Sequence, residues 1–374
     1  MKIGLLVRSL ERGGAERQLV MLARVLQAAG VEVVVIVFYG GGPFQKDLED
    51  AAIPVRALGK TSRWDLASFG ARFVRVLRDE APDFLYGFVV TPNLLASAIR
   101  PLFPKLRVIW GVRSAHMDLS AYDWATRLLY PLEARLSELP DLIIVNSQAG
   151  RRHLEKRGFP MEKVRYVPNG IDVERYCPDP AGGTRLRAEW GYRDSDTLVG
   201  IVARPDPVKA HDVFLSAVKV LQSSPERARF ICVGVDGPVQ VKLGRQARAL
   251  GISERLKIVG PRDDLSAVYS ALDTHVMCSH SEGFPNVVAE AMACGTPCVV
   301  TDVGDAAEIV GETGHVATPG NSEALAQAIR TMLHRVVAHS DEVRRSARAR
   351  IVERYSLASL ASRTLAEIGR LPER

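Results

Sequence analysis

Two acidic and two basic side chains in the second half of the sequence have the spacing of a site for a phosphorylated ligand. Glu282 and Glu290 have seven residues between them, and Arg204 and Lys209 are five positions apart. Arginine offers a planar fork of donors and lysine a point charge, so the two cations suit a diphosphate. The two carboxylates alone are more often a helix cap and an ion pair on a solvated helix face.

The elements around the glutamates place both of them on one side of a sheet. Residues 273–278 form an apolar run that predicts a strand, and residues 286–294 predict a short helix that Gly295 ends. Glu282 then lies in the loop before the helix, and Glu290 lies one turn into it. Such a turn directs both carboxylates towards the carboxyl edge of a parallel sheet, where ligands of open α/β sheets bind.

The cations and the start of the same helix point to the same ligand. Arg204 and Lys209 follow a predicted strand over 197–202. Asn286 lies near the N-cap of the helix, and its backbone N–H and that of Val287 have no partner within the helix. Exposed N–H groups at a helix start suit a diphosphate.

The segment 279–297 reads S-x-S-E-G-F-P-N-x-x-x-E-A-M-A-x-G-x-P. This pattern resembles the donor-site motif of retaining GT-B glycosyltransferases, and glycosyltransferase family 4 is the closest group. The resemblance implies that Glu282 binds hydroxyls of the donor sugar and that Glu290 binds the nucleotide ribose. It also implies donor contacts from the residues between them, namely Gly283, Phe284, Pro285, Asn286 and Val287.

The cationic loop is similar to that of the same family. The resemblance implies that Arg204 and Lys209 neutralise the leaving diphosphate. Ala203 and Ala210 stand where many members carry glycine, so we expect a slightly crowded backbone there. Arg262 follows a predicted strand in a loop that, in this family, lies against the nucleobase.

The first half of the chain carries a thinner resemblance. Gly13 and Gly14 form the turn after an apolar strand over 2–7, where a family member would face the acceptor and the donor diphosphate. His116 and Arg113 follow a strand over 107–112. The resemblance places His116 near the donor sugar and makes Arg113 a phosphate or acceptor contact.

Alternating strands and helices predict an α/β protein of the GT-B class, with two Rossmann-like doubly wound domains facing a cleft. We expect an acceptor-binding domain over 1–172 and a donor-binding domain over 173–356. A last helix over about 357–374 would pack back on the first domain. Residues 178–183 are rich in proline and glycine and predict a loop.

Composition narrows the location and the partners. The five cysteines include no C-x-x-C pair, and neither a signal peptide nor an apolar run of ~18 residues is visible, so we expect a cytoplasmic protein with reduced thiols.

Residues 1–180 hold 25 Lys and Arg against 20 Asp and Glu, a net charge of +5 in a chain of net charge +6. This excess could attract anionic membrane headgroups on the inner face or phosphorylated substrates. Because the sequence shows no nucleic-acid-binding motif, we expect no nucleic-acid partner.

These features together predict a glycosyltransferase of the hexosyltransferase type that acts with retention of configuration. The expected substrates are a UDP- or GDP-sugar and a glycan or lipid-linked acceptor, in polysaccharide or glycolipid synthesis. No D-x-D segment follows a strand, so we expect neither a metal nor a cofactor. Two alternatives stay open: a sugar-nucleotide epimerase of the same fold, and a non-catalytic binder of nucleotide sugars.

Overall fold

The computed structural model describes residues 1–60, 62, 65–113, 124–222 and 228–372. It divides the chain into two compact units, Met1–Gly170 with Leu357–Arg374, and Ile171–Ser356. Each unit has its own parallel sheet with a hydrophobic core on both faces. The two units are therefore both Rossmann-like.

Strands and helices alternate through the first unit. Its strands are β1 (Lys2–Val7), β2 (Glu32–Val37), β3 (Val55–Ala57), β4 (Phe84–Phe88), β5 (Arg107–Val112), β6 (Leu142–Val145) and β7 (Val164–Tyr166). Its helices up to the crossover are α1 (Gly14–Ala28), α2 (Gln45–Glu49), α3 (Leu66–Glu80), α4 (Val90–Ile99), α5 (Trp124–Arg135) and α6 (Gln148–Lys156). The strand order is β3-β2-β1-β4-β5-β6-β7, so the direction of winding reverses between β1 and β4.

The second unit repeats this plan. Its strands are β8 (Leu198–Val202), β9 (Arg229–Val233), β10 (Leu256–Val259), β11 (Thr274–Met277), β12 (Cys298–Thr301) and β13 (His315–Ala317). Its helices are α7 (Pro180–Glu189), α8 (His211–Leu221), α9 (Gly237–Leu250), α10 (Leu265–Ala271), α11 (Asn286–Ala293), α12 (Ala306–Val310) and α13 (Ser322–Tyr355), which contains a non-helical residue at His339. The strand order is β10-β9-β8-β11-β12-β13, so the winding reverses between β8 and β11.

The last helix, α14 (Leu357–Gly369), belongs to the first unit. Leu360 and Ile368 of α14 are buried in the same core cluster as Leu19 and Leu22 of α1. Burial of these apolar side chains stabilises the return of the chain to the first unit.

The prediction of a loop over 178–183 is wrong, because α7 begins at Pro180. Proline fits the first turn of a helix, and the Asp179 carboxylate caps α7 by accepting from the Gly182 N–H at 2.9 Å. A Cβ at Gly183 would lie 2.9 Å from backbone of Ser270 in α10. The glycine therefore permits a close approach of two helices and does not end one.

Candidate active site

Two loops meet at the point where the second sheet reverses its winding. One loop follows β8 and the other follows β11, and these strands are hydrogen-bonded neighbours. The N–H of His280 in the second loop donates to the carbonyl of Val208 in the first at 2.8 Å. The edge at which a doubly wound sheet reverses is where such sheets bind ligands, so the two loops form the candidate site.

Lys209 contributes the best-defined contact of this site. It ends a short 3-10 turn, Pro207–Lys209, which the Asp206 carboxylate caps by accepting from the Val208 N–H at 2.9 Å. The Lys209 Nζ lies 2.6 Å from the Oε1 of Glu282. A cation from the loop after β8 and a carboxylate from the loop after β11 are thus brought together across 73 positions of sequence.

The alanines of this loop are accommodated in two ways. Ala210 adopts a left-handed conformation with φ of +50°, which costs an L-residue other than glycine about 1 kcal/mol. The Ala203 carbonyl packs against Gly234, where an added Cβ would lie 2.8 Å away. The expected crowding therefore appears at Ala210 as a strained backbone. At Ala203 it is avoided, because a glycine on the adjacent loop leaves room for the carbonyl.

Arg204 lies in the same loop, but its side chain is exposed. Within the described parts of the chain, it has no ion-pair partner. Its guanidinium is thus available to an anionic ligand, and its assignment to the diphosphate stays a prediction.

Glu282 is held by two donors. Its Oε1 accepts from the Ser279 Oγ at 2.7 Å as well as from Lys209. Ser279 is 1% exposed, and its own carbonyl accepts from the Thr301 hydroxyl at 2.7 Å. These bonds fix the direction of the Glu282 carboxylate.

Glu290 lies in the second turn of α11 and is 2% exposed. Its Oε2 accepts from the Tyr269 hydroxyl at 3.3 Å. The helix begins at Asn286 and has no side-chain cap, with Pro285 in the cap position. Asn286 is therefore the first helical residue and not the cap itself. Gly295 has a φ of +80° directly after the C-cap, as the predicted stop requires.

The segment between the glutamates is packed from both sides. The Gly283 carbonyl accepts from the Asp305 N–H at 2.9 Å, and Gly304 lies so close that a Cβ there would overlap this carbonyl. Phe284 is buried edge-on against Tyr355, with ring centroids 5.6 Å apart. The side chain of Phe284 therefore supports the loop from the core side, and its contact with a donor stays a prediction.

Arg262 forms ion pairs with two carboxylates of the second unit. Its guanidinium binds both oxygens of Asp264 at 2.8 Å and the Glu189 carboxylate at 2.7 Å. The hydrogen bonds from Arg262 lower the pKa of Asp264, since they favour the ionised carboxylate. These bonds shape the loop after β10, and its role towards a nucleobase stays a prediction.

The glycine pair of the first unit begins α1. Gly13 is the N-cap in an extended conformation, and Gly14 is the first helical residue. A Cβ at Gly13 would overlap the Glu16 carboxylate, whereas one at Gly14 would meet no atom within 4 Å. Gly13 has an extended backbone that any residue adopts, and the Glu16 carboxylate is the movable end of a side chain, so neither position requires glycine on steric grounds. The ligand contact of both residues stays a prediction.

Arg113 lies at the end of β5 in a polar cluster. It donates to the Tyr86 hydroxyl at 3.0 Å and to the Asn169 Oδ1 at 3.3 Å, and it stacks over the Phe88 ring at 4.5 Å. Burial raises the pKa of Tyr86, so its hydroxyl stays neutral beside the cation. His116 lies outside the described residues, and its predicted role is untested.

Two family models match the sequence. The sequence model described as Glycosyltransferase Family 4 matches residues 12–175, and the one described as Glycosyl transferases group 1 matches residues 196–335. The chain belongs to the group 1, family 4 glycosyltransferases. It is accordingly an enzyme that transfers sugars, and neither match favours an epimerase or a non-catalytic binder.

Relatives of this glycosyltransferase match it over different shares of its length. EpsF of Bacillus subtilis, a putative glycosyltransferase, is 24% identical over 308 residues, 78% of this chain and 77% of that protein. The D-inositol 3-phosphate glycosyltransferase of Nocardia farcinica is 34% identical over 190 residues, 48% of this chain and 42% of that protein. HepE of Anabaena in complex with UDP has a TM-score of 0.84 at 26% identity, covering 99% of this chain and 100% of that chain. A second HepE structure, with UDP-glucose, has a TM-score of 0.80 at 25% identity over the same shares. Together with the two parallel sheets, these neighbours show that the glycosyltransferase has the GT-B fold.

Two residues of the glycosyltransferase site were not assigned a role from the sequence. Ser279 lies within the donor motif, so its position was visible although its contact with Glu282 was not. Tyr269 lies 21 positions before Glu290, on a different helix, and no sequence pattern joins the two.

Proposed function

We propose that this glycosyltransferase moves a sugar from a UDP-sugar to a glycan or lipid-linked acceptor with retention of configuration. The observation that carries the proposal is the contact between Lys209 and Glu282 at the edge where the second sheet reverses. It joins a cation suited to a diphosphate with a carboxylate suited to sugar hydroxyls. The choice of UDP is supported by HepE, which binds UDP and UDP-glucose in its solved structures.

In the proposed reaction, an acceptor hydroxyl attacks the anomeric carbon on the face from which the diphosphate leaves. The bond between that carbon and the phosphate oxygen breaks, and the acceptor proton passes to the departing phosphate. Arg204, Lys209 and the first N–H groups of α11 stabilise the developing charge. Glu282 holds hydroxyls of the donor sugar, Glu290 holds the ribose, and His116 lines the sugar site.

A thermal-shift screen with UDP-, GDP- and ADP-sugars tests the proposed donor. A ligand at 100 times its Kd stabilises the folded state by about 2.7 kcal/mol, so the matching donor should raise Tm by several degrees. We expect the largest shift with a UDP-sugar. A larger shift with another nucleotide would replace UDP, and no shift with any donor would contradict the proposal.

We expect transfer to continue after treatment with EDTA. The proposal assigns the charge of the leaving diphosphate to Arg204, Lys209 and helix N–H groups, which need no bridging cation. Transferase assays before and after chelation, with Mg²⁺ and Mn²⁺ added back, measure this directly. Activity that vanishes on chelation and returns with either metal would contradict the assignment.

We also propose weak, charge-dependent attachment to anionic membranes. No helix among the described residues is long and apolar enough to cross a bilayer. In the first unit, however, Leu102 is 62% exposed and lines a groove of about 580 Å³ together with Arg78, Lys105 and the acidic Asp83. Apolar side chains beside two cations and one carboxylate give the groove a net positive charge, which suits a surface of anionic headgroups.

Co-sedimentation with vesicles checks this attachment. We expect binding to vesicles containing phosphatidylglycerol at low salt and release near 0.5 M NaCl, since exposed charges are screened within ~10 Å already at 0.1 M. The double variant Arg78→Glu with Lys105→Glu should bind less, and neutral vesicles serve as the control. Equal binding to neutral and anionic vesicles would contradict the proposal.

A further inference from the structure

Tyr269 is held within the second unit through both its backbone and its ring. It is completely buried in α10, and its carbonyl accepts from the Thr296 hydroxyl at 2.7 Å. Its ring packs edge-on against the equally buried His275, with centroids 5.6 Å apart. A side chain held through both its backbone and its ring has little freedom to turn, so its hydroxyl has a defined position.

The Tyr269 hydroxyl is hydrogen-bonded to a carboxylate of the candidate site. The Tyr269 hydroxyl donates to the Oε2 of Glu290 at 3.3 Å, and Glu290 itself is 2% exposed. The hydrogen bond compensates part of the cost of removing the carboxyl group from water.

Tyr269 does not need to reach a ligand in order to affect binding. A carboxylate can accept several hydrogen bonds at once, and Glu290 accepts the Tyr269 bond through Oε2. A ribose presents two neighbouring hydroxyl donors, and a carboxylate held in a fixed direction accepts from both more readily. A carboxylate free to rotate would lose part of this advantage on binding, because ordering it costs entropy.

We propose that Tyr269 is a positioning residue for Glu290, and that the bond between them sets how well the site distinguishes a ribonucleotide from its dideoxy analogue. The inference rests on the proposed function, in which Glu290 receives the ribose. It adds Tyr269 of α10, which does not itself touch the ligand, to the recognition that the proposed function gives to Glu290 of α11. The ligand class is a ribonucleoside diphosphate, free or as its sugar ester.

The test compares two ligands on two variants. UDP and 2′,3′-dideoxy-UDP are titrated calorimetrically into the wild type, Tyr269→Phe and Tyr192→Phe. Tyr192 is the matched control, because its hydroxyl also donates a hydrogen bond in the second unit, to the Phe230 carbonyl at 3.1 Å. Thermal unfolding of each variant shows whether it is folded.

We expect the wild type to prefer UDP over the dideoxy analogue. Tyr269→Phe should reduce this preference roughly 10-fold, with most of the change in UDP affinity, whereas Tyr192→Phe should keep it. If Tyr269→Phe does not fold, Thr296→Val replaces it. This variant removes the bond that holds the Tyr269 carbonyl and should reduce the preference several-fold.

The outcomes separate this inference from the function on which it rests. An unchanged preference in Tyr269→Phe, or equal weakening of both ligands, overturns the role of Tyr269 and leaves UDP binding by the wild type intact. A wild type that binds UDP and the dideoxy analogue equally overturns ribose recognition by Glu290 and the inference with it. A wild type that binds neither ligand overturns the proposed donor itself.

Discussion

Replacing Lys209 with alanine is expected to lower kcat by ~10²–10³, the usual effect of removing one preorganised charge from a site where negative charge develops. Lys209 is the cation that the structure positions best, since it lies 2.6 Å from Glu282 and its turn is capped by Asp206. In the proposed reaction it stabilises the departing diphosphate. The substitution also leaves Glu282 without its ion-pair partner, which adds to the loss.

Initial-rate assays of the wild type, Lys209→Ala and Lys219→Ala measure this effect. Lys219 is the control because it is an exposed lysine in the last turn of the same helix that follows the Lys209 loop, and it bonds only Gln222 among the residues described. We expect wild-type rates from Lys219→Ala. Wild-type rates from Lys209→Ala as well would remove Lys209 from the reaction.

Substitution of the two glutamates should distinguish donor binding from sugar transfer. Glu290→Gln is expected to weaken UDP and donor binding alike by ~10-fold, because a charge-assisted bond to a ribose hydroxyl contributes about 1.5–3 kcal/mol. Glu282→Gln should leave UDP affinity nearly unchanged, since bare UDP carries no sugar, and should lower transfer strongly. The contact of Glu282 with Lys209 predicts that this loss is not additive with Lys209→Ala.

Calorimetry with UDP and with the intact donor, together with transfer rates, distinguishes the two roles. Glu254→Gln provides a control, because Glu254 is exposed in the turn before β10, at the other edge of the sheet. If Glu282→Gln and Glu290→Gln reduce UDP affinity equally, or if neither does, the glutamates do not divide the donor between them.

The elements around the glutamates could be predicted because their signals are local. Consecutive residues encode the strand, the bend at Gly283, the helix and its stop at Gly295. The observed β11 and α11 lie within one residue of the predicted bounds. The resemblance assigned Glu282 and the cationic loop to the same donor, but it did not predict that they touch. The structure adds the contact between Lys209 and Glu282 at the point where the winding of the sheet reverses.

Features that depend on packing between distant segments could not be predicted. The glycine pair of α7 indicates a loop until α10 is seen beside it, where Gly183 permits the close approach. The bond between Tyr269 and Glu290 likewise depends on how α10 and α11 pack, which no local pattern encodes. A sequence shows the hydrophobic periodicity of strands and helices and the residues that begin and end them. The hydrogen-bond partner of a buried hydroxyl is instead decided by tertiary structure.

Hydrogen exchange with and without UDP tests most directly whether the two loops form one donor site. The account predicts that UDP slows exchange of backbone N–H groups over residues 203–212 and 279–291 of the second unit. Within the same unit, α9 (Gly237–Leu250) should exchange at an unchanged rate, as an internal reference. Protection confined to other segments, with both loops unchanged by saturating UDP, would contradict the account.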